Sequence, residues 1–282
     1  MSHECDYPAE ASKRPILTKS AIHQRIHKSA EVDREVERQG GDIYEIDEKL
    51  LQELQPDLIL TQELCAVCAV SYTRVKQAAR VLDADTKIVS LEPAKLEDIV
   101  DNIRLVGSMT GRTEQSQRIA SEMLSRIDRV KRSTESAISR PRVFFMEWLN
   151  PPWVGGHWIP EMVDYAGGVD GLGRLGAPSH RIDWDQVVDY QPEIIVLSPC
   201  GFDVQGVVDQ VHELSSYGEW ERIPAFANSK IYAVNASGYF SRPGPRIVDG
   251  LEILAKIIHP ELFPGTLLAA DAREVELGFL RS

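Results

Sequence analysis

The stretch LLQELQPDLILTQELC, residues 50–65, decides how this chain is read. Leu50, Leu51 and Leu54 have helical spacing. Pro56 cannot continue a helix, and the short apolar run that follows it, to Thr61, has the pattern of a buried strand. The same order returns at VVDYQPEIIVLSPC, residues 187–200. Both stretches pass from helix through Gln-Pro-acid into a strand, and leave by a loop that carries a cysteine. Strands that alternate with helices assemble into mostly parallel sheets, so two copies of this grammar predict an α/β protein with two Rossmann-like lobes. In such sheets ligands bind beyond the carboxyl ends of the strands. The loops at Cys65 and Cys200 are therefore expected to face a common cleft.

Outward from these anchors the pattern continues. YTRVKQAARVL (72–82) reads as a helix and TKIVSL (86–91) as a strand. The polar first segment predicts a loop, a short helix and a weak strand at Ile43–Ile46. Residues 95–135 carry no strand signal. One amphipathic helix there places Leu96, Ile99, Ile103 and Val106 on a face, Gly111 breaks it, and a longer helix follows with Thr113 as its N-cap. PRVFFMEW (141–148) and SKIYAVN (229–235) read as strands. IPEMVDYAGG (159–168) is a helix ended by glycine, and RPGPRIVDGLEILAKIIHP (242–260) opens on prolines and becomes a helix. The predicted organisation is an N-terminal lobe over 1–110, a connecting helix over 111–135, a C-terminal lobe over 136–265 and a loose tail over 266–282.

With 282 residues, 43% of them hydrophobic, the chain can bury a sizeable core. Its formal charge of −12 argues against partnership with nucleic acid or an anionic membrane surface. No run reaches the ~18 apolar residues of a bilayer span, and MSHECDYPAEASKRP lacks the apolar core of a signal peptide. As it stands, the sequence predicts a cytoplasmic product; a further upstream segment would make it periplasmic or membrane-anchored. The four cysteines are then expected as reduced thiols rather than disulfides. No GxSxG, P-loop or GxGxxG is present, so no enzyme is predicted, with thiol redox chemistry left open.

In order along the chain, QPDLILT (55–61), the helical connector, NPPWVGG (150–156), WDQVVDYQPEIIVLSP (184–199), IPAFANSKIYAVN (223–235) and RPGPRIVDGLEIL (242–254) resemble the helical-backbone, class III substrate-binding proteins of ABC transporters, and most of all their cobalamin-binding branch. The resemblance runs to about Phe263. It implies two α/β lobes bridged by a long helix, a ligand held between them, and an ABC permease as partner. It also implies that SHECDYP (2–8) follows the second strand of the N-terminal lobe and lines the cleft with His3, Glu4, Asp6 and Tyr7. On that comparison the first strands of the N-terminal lobe are missing, and a start upstream of Met1 is expected.

Aligned in this way, all four cysteines fall in cleft loops: Cys5 in the first, Cys65 and Cys68 as CAVC in the second, Cys200 in PCGF. Cys-x-x-Cys can place two sulfurs on one ion, and thiolates from separate loops can complete a zinc, iron or iron–sulfur site. Buried cysteines packed as small apolar side chains are the alternative. MEWLNPPWVGGHWIPEM (146–162) supplies Glu147, Trp148, Trp153, His157 and Trp158, and PCGF adds Phe202. Tryptophans with a few polar groups suit a large flat ligand such as a corrin or porphyrin, and His157 can ligate its metal or pair with a carboxylate. The loop SGYFSRPGPR (237–246) brings Tyr239, Phe240 and Arg242, the last able to hold a carboxylate or phosphate. His23 and His27 have the i,i+4 spacing of a metal pair, with a surface reading preferred. The expectation is a monomeric binding protein for a cobalamin-like corrinoid, haem or other metal chelate, needing no cofactor of its own. The alternative is a cytoplasmic metal-binding or thiol-redox protein on the same fold.

Overall fold

The computed structural model describes residues 1–20, 28–38, 43–62, 72–82 and 85–278. His23, His27, Cys65 and Cys68 lie outside the described residues. By its packing the chain forms two compact units, Met1–Glu92 and Pro93–Ser282.

In the first unit β1 (Thr18–Ser20) pairs antiparallel with β2 (Tyr44–Ile46), and α1 (Ser29–Arg38) lies between them in sequence. α2 (Glu48–Leu54) starts at Asp47, whose carboxylate accepts the Leu50 N–H at 2.9 Å. The helix ends at Gln55, which takes a left-handed backbone (φ 40°) immediately before Pro56. A left-handed residue followed by proline is a strong helix stop, and the chain leaves it as β3 (Leu58–Thr61). α3 (Tyr72–Ala78) and a turn of 3-10 helix lead to β4 (Lys87–Ser90), parallel to β3 in the register Leu58↔Lys87. β3 and β4 pair in parallel, and β1 and β2 add an antiparallel pair. One expectation is corrected here. β3 is half-buried rather than buried, since among the described residues it pairs with β4 alone.

The second unit opens with α4 (Leu96–Met109) and α5 (Thr113–Thr134), joined through Gly111 (φ 67°). α4 thus groups by its packing with the second unit. The two helices approach so closely at Gly107 that a Cβ there would lie 2.0 Å from Ser116 Oγ. Thr113 is the first helical residue rather than the cap: the left-handed turn at Gly111 brings the chain in one residue early, so Arg112 holds the cap position. The start of α4 is capped twice over. Asp98 accepts the Ala94 and Lys95 N–H groups, each at 2.9 Å, and Glu161 accepts the Leu96 N–H at 2.8 Å. The other oxygen of Glu161 receives the Tyr165 hydroxyl at 2.8 Å.

A six-stranded sheet follows, built from β5 (Val143–Trp148), β6 (Trp153–Val154), β7 (His180–Arg181), β8 (Ile194–Leu197), β9 (Ile231–Val234) and β10 (Ala272–Glu274) in the spatial order β10-β9-β8-β5-β6-β7. Its centre is parallel, with Met146 opposite Leu197 and Leu197 opposite Ala233. The helices are α6 (Ile159–Tyr165), α7 (Trp184–Tyr190), α8 (Val204–Gln210), α9 (Pro224–Ala227), α10 (Ala236–Tyr239) and α11 (Ile247–Ile258). α7 ends on Gln191 in the left-handed region (φ 52°) ahead of Pro192, the same stop that ends α2.

Alternation along the strands separates two faces. Phe144, Met146, Ile195, Leu197, Ile231 and Ala233 share one cluster with Val187, Val207, Leu214 and Trp220. Phe145 and Val196 point the other way, where Phe145 meets Phe240 with ring centroids 5.3 Å apart. Each buried Val, Leu, Ile, Phe or Met side chain among them contributes about 1.5–3 kcal/mol. Arg126 ties α5 to α11, reaching Asp249 at 2.5 Å and Glu252 at 2.6 Å. Within the stretch 266–282, expected as a loose tail, β10 forms antiparallel to β9 with Ala272 opposite Val234, and residues 279–282 lie outside the described residues. Ala272, Val275 and Leu277 are buried there, which is what holds a segment of so little apolar periodicity in place.

Glu161→Ala strips the start of α4 of one cap and leaves the Tyr165 hydroxyl without its acceptor. It is expected to lower unfolding stability by about 1–2 kcal/mol. Glu161→Gln, which keeps an oxygen for Leu96, should recover part of that loss in the same denaturant titration.

Candidate functional site

In the second unit, the candidate residues lie at the carboxyl end of β5, on the loops that leave β5, β8 or β9, or on the segments packed beside them. Because the three strands are parallel and in register, their loops emerge at one end of the sheet.

β5 ends on Glu147 and Trp148. Trp148 pairs across the turn with Trp153 on β6, and its ring lies 6.1 Å from that of Phe202 on the β8 loop. The indole N–H of Trp153 is shielded from solvent and has no hydrogen-bond partner among the described residues. Glu147 accepts the Ser179 hydroxyl at 2.8 Å, and Ser179 in turn accepts the Gly156 N–H at 3.1 Å. Gly156 has no room for a side chain, since a Cβ would lie 2.3 Å from the Ser179 nitrogen. The next residue, His157, has a left-handed backbone (φ 51°). Its N–H donates to Ala177 O at 2.6 Å and its carbonyl accepts the Gly176 N–H at 3.0 Å, so the loop over 155–158 is bound to the loop over 176–179. Burial pushes the His157 imidazole below its usual pKa.

Trp158 and Phe240 are placed differently from expectation. Both are buried, at 5% and 2% exposure, and the Trp158 indole donates to the Phe240 carbonyl at 2.9 Å. Their rings are taken up by packing, and they brace the β5 and β9 loops against each other rather than presenting a face to solvent. Tyr239 is half-buried and donates its hydroxyl to Asp271 at 2.8 Å. Arg242 is half-buried on the turn between α10 and α11.

In the first unit His3, Glu4, Cys5, Asp6 and Tyr7 share one loop that runs beside β1. The His3 ring donates to or accepts from Thr18 Oγ1 at 2.7 Å through Nδ1, packs on Tyr44 at 5.4 Å, and sets Nε2 3.3 Å from the Glu4 carboxylate. Tyr7 is exposed. Cys5 and Cys200 are free, half-buried thiols. Among the described residues no group of three or more His, Cys, Asp or Glu side chains is placed to hold a metal ion. The expected four-cysteine centre depends on Cys65 and Cys68, which lie outside those residues.

Three neighbours of the site were not singled out from the sequence. Ser179 and Asp271 are distant in sequence from the residues they hold. Ser198 follows β8 directly, and the β5–β8 register sets it beside Glu147; its hydroxyl is buried without a partner among the described residues. A serine at the end of a buried apolar run was the available signal.

The family model for periplasmic binding proteins matches residues 15–237, and the chain belongs to that family. It has the two-lobed α/β fold of class III ABC substrate-binding proteins. Over 266 residues it is 25% identical to a vitamin B12-binding protein of Vibrio cholerae serotype O1, covering 89% of this chain and 78% of that one. Among solved structures it is similar to the periplasmic vitamin B12 binding protein BtuF of Vibrio cholerae, with a TM-score of 0.62, 20% identity, and coverage of 92% and 87% of the two chains. It is also similar to a periplasmic heme binding protein from Pseudomonas aeruginosa, with a TM-score of 0.66, 15% identity, and coverage of 97% and 89%.

The lowered pKa of His157 carries a pH signature. Its neutral form is favoured by folding, so its contribution to stability is present above the unfolded value near 6.5. That contribution is lost as pH falls through the folded value. His157→Asn, which tolerates the left-handed backbone, should flatten the fall in thermal midpoint below about pH 6.5.

Proposed function

We propose that this protein is the substrate-binding component of an ABC importer and that it carries a flat metal chelate, a cobalamin-like corrinoid before haem. The observation that carries the reading is the placement of Trp148, Trp153, Phe202 and Tyr239 at the carboxyl end of β5, β8 and β9 and on the segments that follow. Apolar ring faces suit a macrocycle. Polar groups among them, Glu147 with Ser179 and the guanidinium of Arg242, suit the amides, phosphate or carboxylates at its periphery.

The relatives support the corrinoid in particular: the vitamin B12-binding protein matches across most of the chain. A haem-binding neighbour shares the fold and keeps the porphyrin as the competing ligand. The periplasmic relatives support a periplasmic location, and an ABC permease as partner is part of the same reading. The cytoplasmic thiol-redox alternative draws no support from them. We read no catalytic role.

The test is a titration of the purified protein with cyanocobalamin and with hemin, following tryptophan fluorescence and ligand absorbance. Saturable quenching with at least one of them is expected. Trp153→Ala should weaken that binding by about tenfold or more, the equivalent of ~1.4 kcal/mol. Failure of both ligands to bind would sink the reading.

A further inference from the structure

The C-terminal segment reaches the site through Asp271. β10 lies on β9 with Ala272 opposite Val234, and the ladder extends one residue further, where the Asn235 N–H donates to Asp271 O at 3.0 Å. Asn235 starts α10, its side chain accepting the Gly238 N–H at 2.8 Å. The Tyr239 N–H returns to Asn235 O at 3.1 Å, and the Tyr239 hydroxyl donates to Asp271 Oδ1 at 2.8 Å. Tyr239 is therefore held at its backbone by Asn235 and at its phenol by the residue facing Asn235 across the ladder. On the remaining side α11 presses against it: a Cβ on Gly250 would lie 2.3 Å from Tyr239 O. The next residue, Phe240, receives the Trp158 indole. Displacement of Tyr239 would thus be felt in the β5 loop as well.

We propose that Asp271 is a positioning residue for ligand binding, holding Tyr239 and the turn that leads to Arg242 in the shape that meets the ligand. This rests on the reading of that turn as ligand-contacting. A tyrosine hydroxyl that donates to a carboxylate cannot swing outward without leaving that carboxylate to water, so the ring is fixed before ligand arrives and less ordering remains to be done on binding. Burial, the Asp271 hydrogen bond and the Asp271 and Asp249 charges push the phenol up to about 12, against a smaller opposing effect of Arg246. The hydroxyl therefore stays a donor across the physiological range.

The experiment uses the full chain with cyanocobalamin and hemin as probes. Asp271→Ala is expected to weaken binding of whichever probe the wild type takes by about tenfold, and Asp271→Asn, which keeps an acceptor oxygen, to restore most of it. Phenolate absorbance supplies a readout that simple loss of packing would not give. The ionisation step that disappears in Tyr239→Phe should move down in Asp271→Ala, while burial and Asp249 still hold it above the ordinary phenol value. Wild type that binds neither probe removes the functional reading and this proposal together. Wild type that binds, with Asp271→Ala binding equally well, overturns the proposal alone. Tight binding in Asp271→Ala alongside a shifted phenol would show a clamp with no part in recognition, and also overturns it.

Discussion

Three parallel strands in register, β5, β8 and β9, are the constraint on which the second unit depends. Parallel strands cannot be joined by tight turns; each must return through a crossover. Here the chain returns through α6 and α7, and then through α8 and α9, before entering the next strand. That requirement separates the two ends of the sheet. One end receives the chain from the helix stops, as at Gln191-Pro192, and is occupied by backbone turns. The other releases it into loops whose sequences are free of crossover duty. The aromatic and polar candidates are found at that second end, and the two buried faces beneath it leave the strand ends little latitude to shift.

Much of this was legible in residues because it rests on local chemistry. Gln-Pro-acid marks both helix stops, and the structure shows why: Gln55 and Gln191 each take a left-handed turn that the following proline makes terminal. The apolar runs that became β5 and β8 are buried, and buried runs announce themselves. β3 announces itself the same way yet lies half-buried, since composition reports what a strand is able to bury and not what its neighbours supply. β1 and β10 were not legible. Each is three residues long, β1 as Thr-Lys-Ser and β10 as Ala-Arg-Glu, and each owes its existence to a partner strand already in place.

The site divides along the same line. Residue types named the aromatic loops, and backbone geometry decides which rings are available. Trp158 looks as suitable as Trp153 in the sequence, but the left-handed backbone at His157 turns the chain so that Trp158 enters the core and finds the Phe240 carbonyl. Ser179 and Asp271 act on Glu147 and Tyr239 from 32 residues away in each case, a separation no motif spans. The cysteine readings stand where the residues alone leave them, with Cys5 and Cys200 seen as free thiols.

The short strand β10 has a practical consequence. It occupies the hydrogen-bonding edge of β9, and Val275 and Leu277 seal the end of the cluster behind it. A version of the protein trimmed before Asp271 would present β9, with its run of Ile, Tyr, Ala and Val, as an open template for a strand from another molecule. Stickiness in such a trimmed protein would then report a missing edge guard, and should not be mistaken for natural self-association.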